Sequence, residues 1–149
     1  MKATGHARHV LLADDDKDDV LLFAEVLGEL LHAVAFTSVN DGEELIRLLQ
    51  QTDHVPDILF LDLNMPGKNG LDCLRTIKQL MQLQQVPVVI VSTSYELKMV
   101  DQLYALGAQY YIRKPNDFIT LKHVIGQVLA LTASPQQLPL PRHLFELLS

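Results

Sequence analysis

The stretch LFLDLNMPGKNG, Leu59 to Gly70, decides the fold. Three large apolar residues, Leu59, Phe60 and Leu61, run into Asp62, and Asn64, Pro66 and Gly67 follow close behind. A short apolar run closed by such residues reads as a buried strand ending in a turn. The carboxylate at its tip is either an ordinary turn-former facing water or a group that the chain presents.

Working outward, similar apolar runs lie at Val10–Ala13, Ala33–Val39, Val88–Val91 and Tyr110–Ile112. Between them apolar residues recur every three to four positions: Val20, Phe23, Leu27; Leu45, Leu48, Leu49; Leu71, Leu74, Ile77; Val100, Leu103, Leu106; and Phe118, Leu121, Ile125, Val128. The pattern predicts five strands alternating with five helices. Strands with little polar alternation are covered on both faces, so the expected fold class is α/β, a doubly wound five-stranded parallel sheet. Asp41 is expected to cap the second helix and Gly107 to stop the fourth.

The 149 residues suit one domain, divided here into an arm at 1–7, a folded unit at 8–131 and a Pro-containing tail at 132–149. The tail spaces Leu140, Leu144 and Leu148 four apart beside Phe145, so a short amphipathic helix is expected, docked or frayed. One cysteine, Cys73, allows no internal disulfide and reads as structural. No secretory signal or membrane-length apolar run is evident, and a cytoplasmic location is expected. A net charge of −6 argues against direct nucleic-acid binding.

In an open parallel sheet, ligands bind beyond the carboxyl ends of the strands. The first strand here ends in Asp14-Asp15-Asp16, the third in Asp62, the fourth in Ser92-Thr93 and the fifth in Arg113-Lys114-Pro115. With strand order 2-1-3-4-5, Asp14, Asp15 and Asp62 become neighbours. Two carboxylates about 4 Å apart repel by roughly 4 kcal/mol at an effective dielectric of 20, so a cation belongs among them. Hard oxygen donors with no His or Cys cluster select Mg²⁺ or Mn²⁺. Lys114 offers a point charge and Ser92 a hydroxyl to a phosphoryl oxygen. Together they describe a phosphoryl site with a carboxylate nucleophile.

The segments VLLADDDKDDVLL, ILFLDLNMPGKNGLDCL, PVVIVSTS and ALGAQYYIRKP, in this order, resemble the receiver domain of two-component response regulators, most closely the single-domain, CheY-like kind. The resemblance covers roughly residues 8–131. It implies that Asp62 accepts a phosphoryl group from the phosphohistidine of a sensor histidine kinase or phosphotransfer protein. It implies further that Asp15 and Asp62 hold Mg²⁺ by side chains and Asn64 by its backbone carbonyl, with Asp14 acting through water or charge. Lys114 would bind a phosphoryl oxygen, and the Lys114–Pro115 bond would be cis. Ser92 and Tyr111 would form the switch, Ser92 drawn to the phosphate and Tyr111 turning inward behind it. Ser92 stands where many receivers have Thr, Thr93 where a smaller residue is common, and Asn116 where an aromatic often follows; these departures bear on phosphate lifetime.

Three other readings compete. Asp14, Asp16, Asp18 and Glu25 match four positions of a calcium-binding EF-hand loop, but Asp19 stands at its glycine position. A haloacid-dehalogenase-type phosphatase needs a second acid two residues after the nucleophile, where this chain has Asn64. A receiver fold acting without phosphorylation is the third, and retention of Asp62, Lys114 and the acidic pair weighs against it. Output is expected through a downstream protein target. Met99, Tyr104, Ile119 and Val124 suggest an apolar surface and a homodimer through the fourth helix, fifth strand and fifth helix, with the tail packed across it.

Overall fold

The computed structural model describes residues 8–51, 55–134 and 139–147. The expected arm at 1–7, and Leu148 of the tail, lie outside the described residues. The elements alternate: β1 (Arg8–Ala13), α1 (Lys17–Leu30), β2 (Val34–Val39), α2 (Gly42–Gln51), β3 (Ile58–Asp62), α3 (Gly70–Gln79), β4 (Val88–Ser92), α4 (Leu97–Ala105), β5 (Tyr110–Arg113), α5 (Phe118–Leu131) and β6 (Glu146–Leu147). The sheet is parallel throughout, in the order β2-β1-β3-β4-β5-β6. Its first five strands have the expected order. The sixth was not expected.

Strand periodicity sorts the core into two layers. From β1, Leu11 and Ala13 point to the layer under α2, α3 and α4, where they meet Leu45, Leu74 and Val100. Val10 and Leu12 point to the opposite layer and meet Phe23 and Leu27 of α1 and Val124 and Ile125 of α5. All five residues of β3 and all five of β4 are buried, because helices cover both faces of the sheet centre.

Local chemistry sets the element ends that position the rim. Asp16 caps α1, accepting from the backbone N–H groups of Asp18 and Asp19 at 2.9 and 3.3 Å. Asp41 accepts from the N–H of Glu44 at 2.7 Å at the start of α2. Gly107, at φ +97°, ends α4 in a Schellman turn: Ala108 N–H donates to the Leu103 carbonyl and Gly107 N–H to that of Tyr104. Gly70 opens α3 against the end of β3, where an added Cβ would lie 2.7 Å from the Asp62 carbonyl oxygen.

The tail departs from the amphipathic helix expected of it. Arg142–Leu144 form one 3-10 turn, and Glu146–Leu147 then add to the outer edge of β5, with Tyr111 opposite Glu146 and Ile112 opposite Leu147. Phe145, 0% exposed, is the anchor, while Leu144 faces solvent. A turn and strand displace a helix here because β5 would otherwise leave a row of unpaired backbone groups. Within the α4, β5 and α5 surface expected to join two copies, the outer edge of β5 is thus paired by this chain's own β6. Of the residues expected to form an apolar surface, Val124 is core, Met99 and Tyr104 are half-buried, and only Ile119 stands out at 81% exposed.

Candidate functional site

The four polar groups at the strand ends converge because β1, β3, β4 and β5 are consecutive in the sheet. Pairing of Ala13 with Leu61 places Asp14 beside Asp62. Oxygens of Asp14, Asp15 and Asp62 lie within 4.8 Å of one another. Asp14 and Asp62 are 3% and 6% exposed, whereas Asp15 faces solvent. The Asp16 N–H donates to Asp14 Oδ1 at 2.9 Å and the Asn64 N–H to Asp62 Oδ1 at 3.2 Å, which fixes both carboxylates. Asn64 follows β3 by two residues, beside the acidic trio.

Lys114 enters from the opposite side. Its backbone N–H donates to the Ser92 carbonyl at 2.7 Å, tying the end of β5 to that of β4. Its Nζ lies 3.0 Å from Asp14 Oδ2, 2.7 Å from Asp19 Oδ2 and 3.9 Å from Asp62 Oδ2. Burial alone would lower its pKa; the bond to Asp19 and the charges of Asp62 and Asp14 outweigh this and hold the ammonium above the ordinary lysine value. Burial pushes the Asp62 carboxyl up to about 6, with Asp14 and Asp15 adding to the rise and Lys114 and the Asn64 N–H opposing it. A carboxylate trio facing one ammonium keeps excess negative charge, and its hard oxygens and open Asp15 side suit a small divalent cation that retains waters.

Ser92 is fully buried, and its Oγ lies 3.1 Å from Ser94 Oγ and accepts from the Ser94 N–H at 3.2 Å. Tyr111, expected to turn inward, already lies buried with its hydroxyl bonded to the Ser94 carbonyl. Burial holds that phenol above the usual tyrosine range. Thr93 is exposed at the rim and Pro115 half-buried behind Lys114. Cys73 is buried, its thiol pushed up to about 11 by burial, with Sγ 3.7 Å from the carbonyl oxygens of Gly42 and Lys68. It is inert packing, as expected.

The roles of two residues escaped the sequence reading. Asp19 belongs to the acidic run continuing from Asp14 into α1, yet its contact with Lys114 spans 95 positions. Ser94 joins Ser92 to Tyr111, which no spacing announces. The EF-hand match is overturned: Asp16 is a helix cap, and Asp18 and Glu25 lie within α1, leaving no twelve-residue loop.

Comparison with known proteins agrees with this geometry. Residues 10–126 match the response regulator receiver domain family. The response regulator Rcp1 of Synechocystis sp. is 30% identical over 135 residues, covering 87% of this chain and 92% of that protein. The crystal structure of the phosphorylated cyanobacterial phytochrome response regulator RcpA superposes with a TM-score of 0.81 at 29% identity, covering 91% of this chain and all of that one. The Mn²⁺-bound form of Rcp1 does so with 0.77 at 29% identity, covering 89% and 99%. With the parallel sheet, the gathered acids and the matched segment in agreement, the chain belongs to the response regulator receiver domain family.

Proposed function

We propose that this chain is a phosphoacceptor switch in which Asp62 takes a phosphoryl group from the phosphohistidine of a sensor histidine kinase or phosphotransfer protein. The observation that carries the reading is one buried carboxylate, Asp62, flanked by Asp14 and Asp15 within 4.8 Å and by the Lys114 ammonium at 3.9 Å. An Asp62 oxygen attacks phosphorus, a P–O bond forms as the P–N bond breaks, and the imidazole nitrogen keeps the electron pair and is protonated by water. Asp15, Asp62 and the Asn64 carbonyl would hold Mg²⁺ or Mn²⁺, with Asp14 beside them; when bound, the ion offsets charge on the transferring group. Lys114 donates to a phosphoryl oxygen, and Ser92 offers its hydroxyl once released from Ser94. Tyr111 stands behind Ser94 to sense that release. The likeness to the phytochrome response regulator RcpA supports a phytochrome-class kinase as donor, and the reading assigns output to a downstream protein that recognises the α4, β5 and β6 side.

Incubation with acetyl phosphate and Mg²⁺, followed by intact-mass measurement, tests the reading. Wild type is expected to gain one phosphoryl group and Asp62→Asn none. An equal gain in both would move the acceptor elsewhere.

A further inference from the structure

We infer that Asp19 is a positioning residue for Lys114, orienting the ammonium so that one of its N–H groups remains for a phosphoryl oxygen; this rests on the acceptor role proposed for Asp62. A lysine ammonium has three donors and no acceptor. Two are committed, to Asp19 Oδ2 at 2.7 Å and to Asp14 Oδ2 at 3.0 Å. Asp62 Oδ2, at 3.9 Å, lies beyond hydrogen-bond range. Among the described residues the third donor is thus uncommitted to any carboxylate, on a lysine that stands beside the acceptor. A phosphoryl oxygen carried on Asp62 would fill that interval.

Asp19 makes the shortest of the three contacts, and its place is fixed by the helix start. Its backbone N–H donates to the capping carboxylate of Asp16 at 3.3 Å, which sets the first turn of α1 and aims the side chain toward the end of β5. Asp19 is also outside the trio whose oxygens converge within 4.8 Å. A divalent ion held by that trio competes with Lys114 for Asp14 and Asp62 but not for Asp19. Without Asp19 the ammonium can close on Asp62 in a short charge-assisted bond that covers the attacking oxygen.

An acid in the first turn of a helix also favours the helix dipole, and that plain role would persist without Lys114. The test therefore pairs the two residues. Initial rates of phosphorylation by acetyl phosphate with Mg²⁺ are compared for wild type, Asp19→Asn and Asp19→Glu, and again with Asp19→Asn in a Lys114→Ala background. The inference expects Asp19→Asn to slow the reaction about tenfold, the scale of one lost charge-assisted hydrogen bond. Asp19→Glu should recover most of the loss, and in the Lys114→Ala background Asp19→Asn should add nothing. In the metal-free chain, the ¹⁵N signal of the Lys114 ammonium should be sharp and slowly exchanging in wild type and lost in Asp19→Asn. Equal slowing in both backgrounds, or an unchanged ammonium signal, overturns the inference. Should wild type take up no phosphoryl group, the acceptor reading fails, and the ammonium signal still decides whether Asp19 holds Lys114.

Discussion

The backbone N–H of Tyr111 donates to the carbonyl of Phe145 at 2.9 Å, so the expected switch residue is hydrogen-bonded to the tail of its own chain. The two rings also touch, with centroids 6.4 Å apart, and Tyr104 packs edge-on against Phe145 at 5.2 Å. Any outward turn of Tyr111 must disturb this packing. The tail and the rim of the sheet are therefore mechanically joined through β5.

That join predicts a contrast between two tail residues. Phe145 fills the core layer under α4 completely, so Phe145→Ala should cost about 3–5 kcal/mol in urea unfolding. Arg142 bonds to Asp101 and Glu146 and lies over the Tyr104 and Phe145 rings, but its side chain is 34% exposed. Solvent screens such pairs, so Arg142→Ala should cost under about 1 kcal/mol. Reversed magnitudes would show that charge, and not burial, seats the tail.

Truncation after Thr132 strips β6 from β5 and leaves a bare sheet edge. Sedimentation velocity should then show a shift toward larger species than the full chain at equal concentration. An unchanged mass distribution would remove any role for the tail in controlling self-association.

The raised Asp62 carboxyl makes the metal-free chain sensitive to pH. An unfolded-chain aspartate titrates near 3.8 and Asp62 in the fold at about 6, so between these values the folded state binds more protons. Stability contributed by this group therefore falls as pH rises from about 4 to 6, and above 6 the cost is complete. Asp62→Asn removes the charge and should stabilise the chain at pH 7.5 by roughly 1–3 kcal/mol, with the gain shrinking toward pH 4. Urea titrations in EDTA at the two pH values check the sign; a variant less stable than wild type at pH 7.5 contradicts it.

Divalent cations should reverse that cost. Mn²⁺ or Mg²⁺ at about a hundred times its dissociation constant should stabilise wild type by roughly 2.7 kcal/mol, and EDTA should abolish the gain. Asp15 is exposed and bonds to no residue described, so Asp15→Ala should be nearly neutral without metal and gain little with it. Calorimetric unfolding with and without Mn²⁺ separates the two effects; full stabilisation of Asp15→Ala would take Asp15 out of the binding set.

Much of this molecule was legible in the chain because it depends on short-range pattern. Runs such as Leu59–Leu61 and Val88–Val91 are apolar on both faces and can only be central strands, and strands alternating with helices force parallel crossovers. Those rules carry Asp14, Asp62, Ser92 and Lys114 to one rim. Tertiary structure decided what no local period encodes. The bond between Asp19 and Lys114 depends on where α1 begins relative to the end of β5, and the tail became a strand because β5 had an open row of backbone groups to satisfy. Side-chain periodicity records which face of an element is dry. It does not record which distant partner completes a hydrogen bond, and on that the ammonium beside Asp62 and the fold of residues 139–147 both depend.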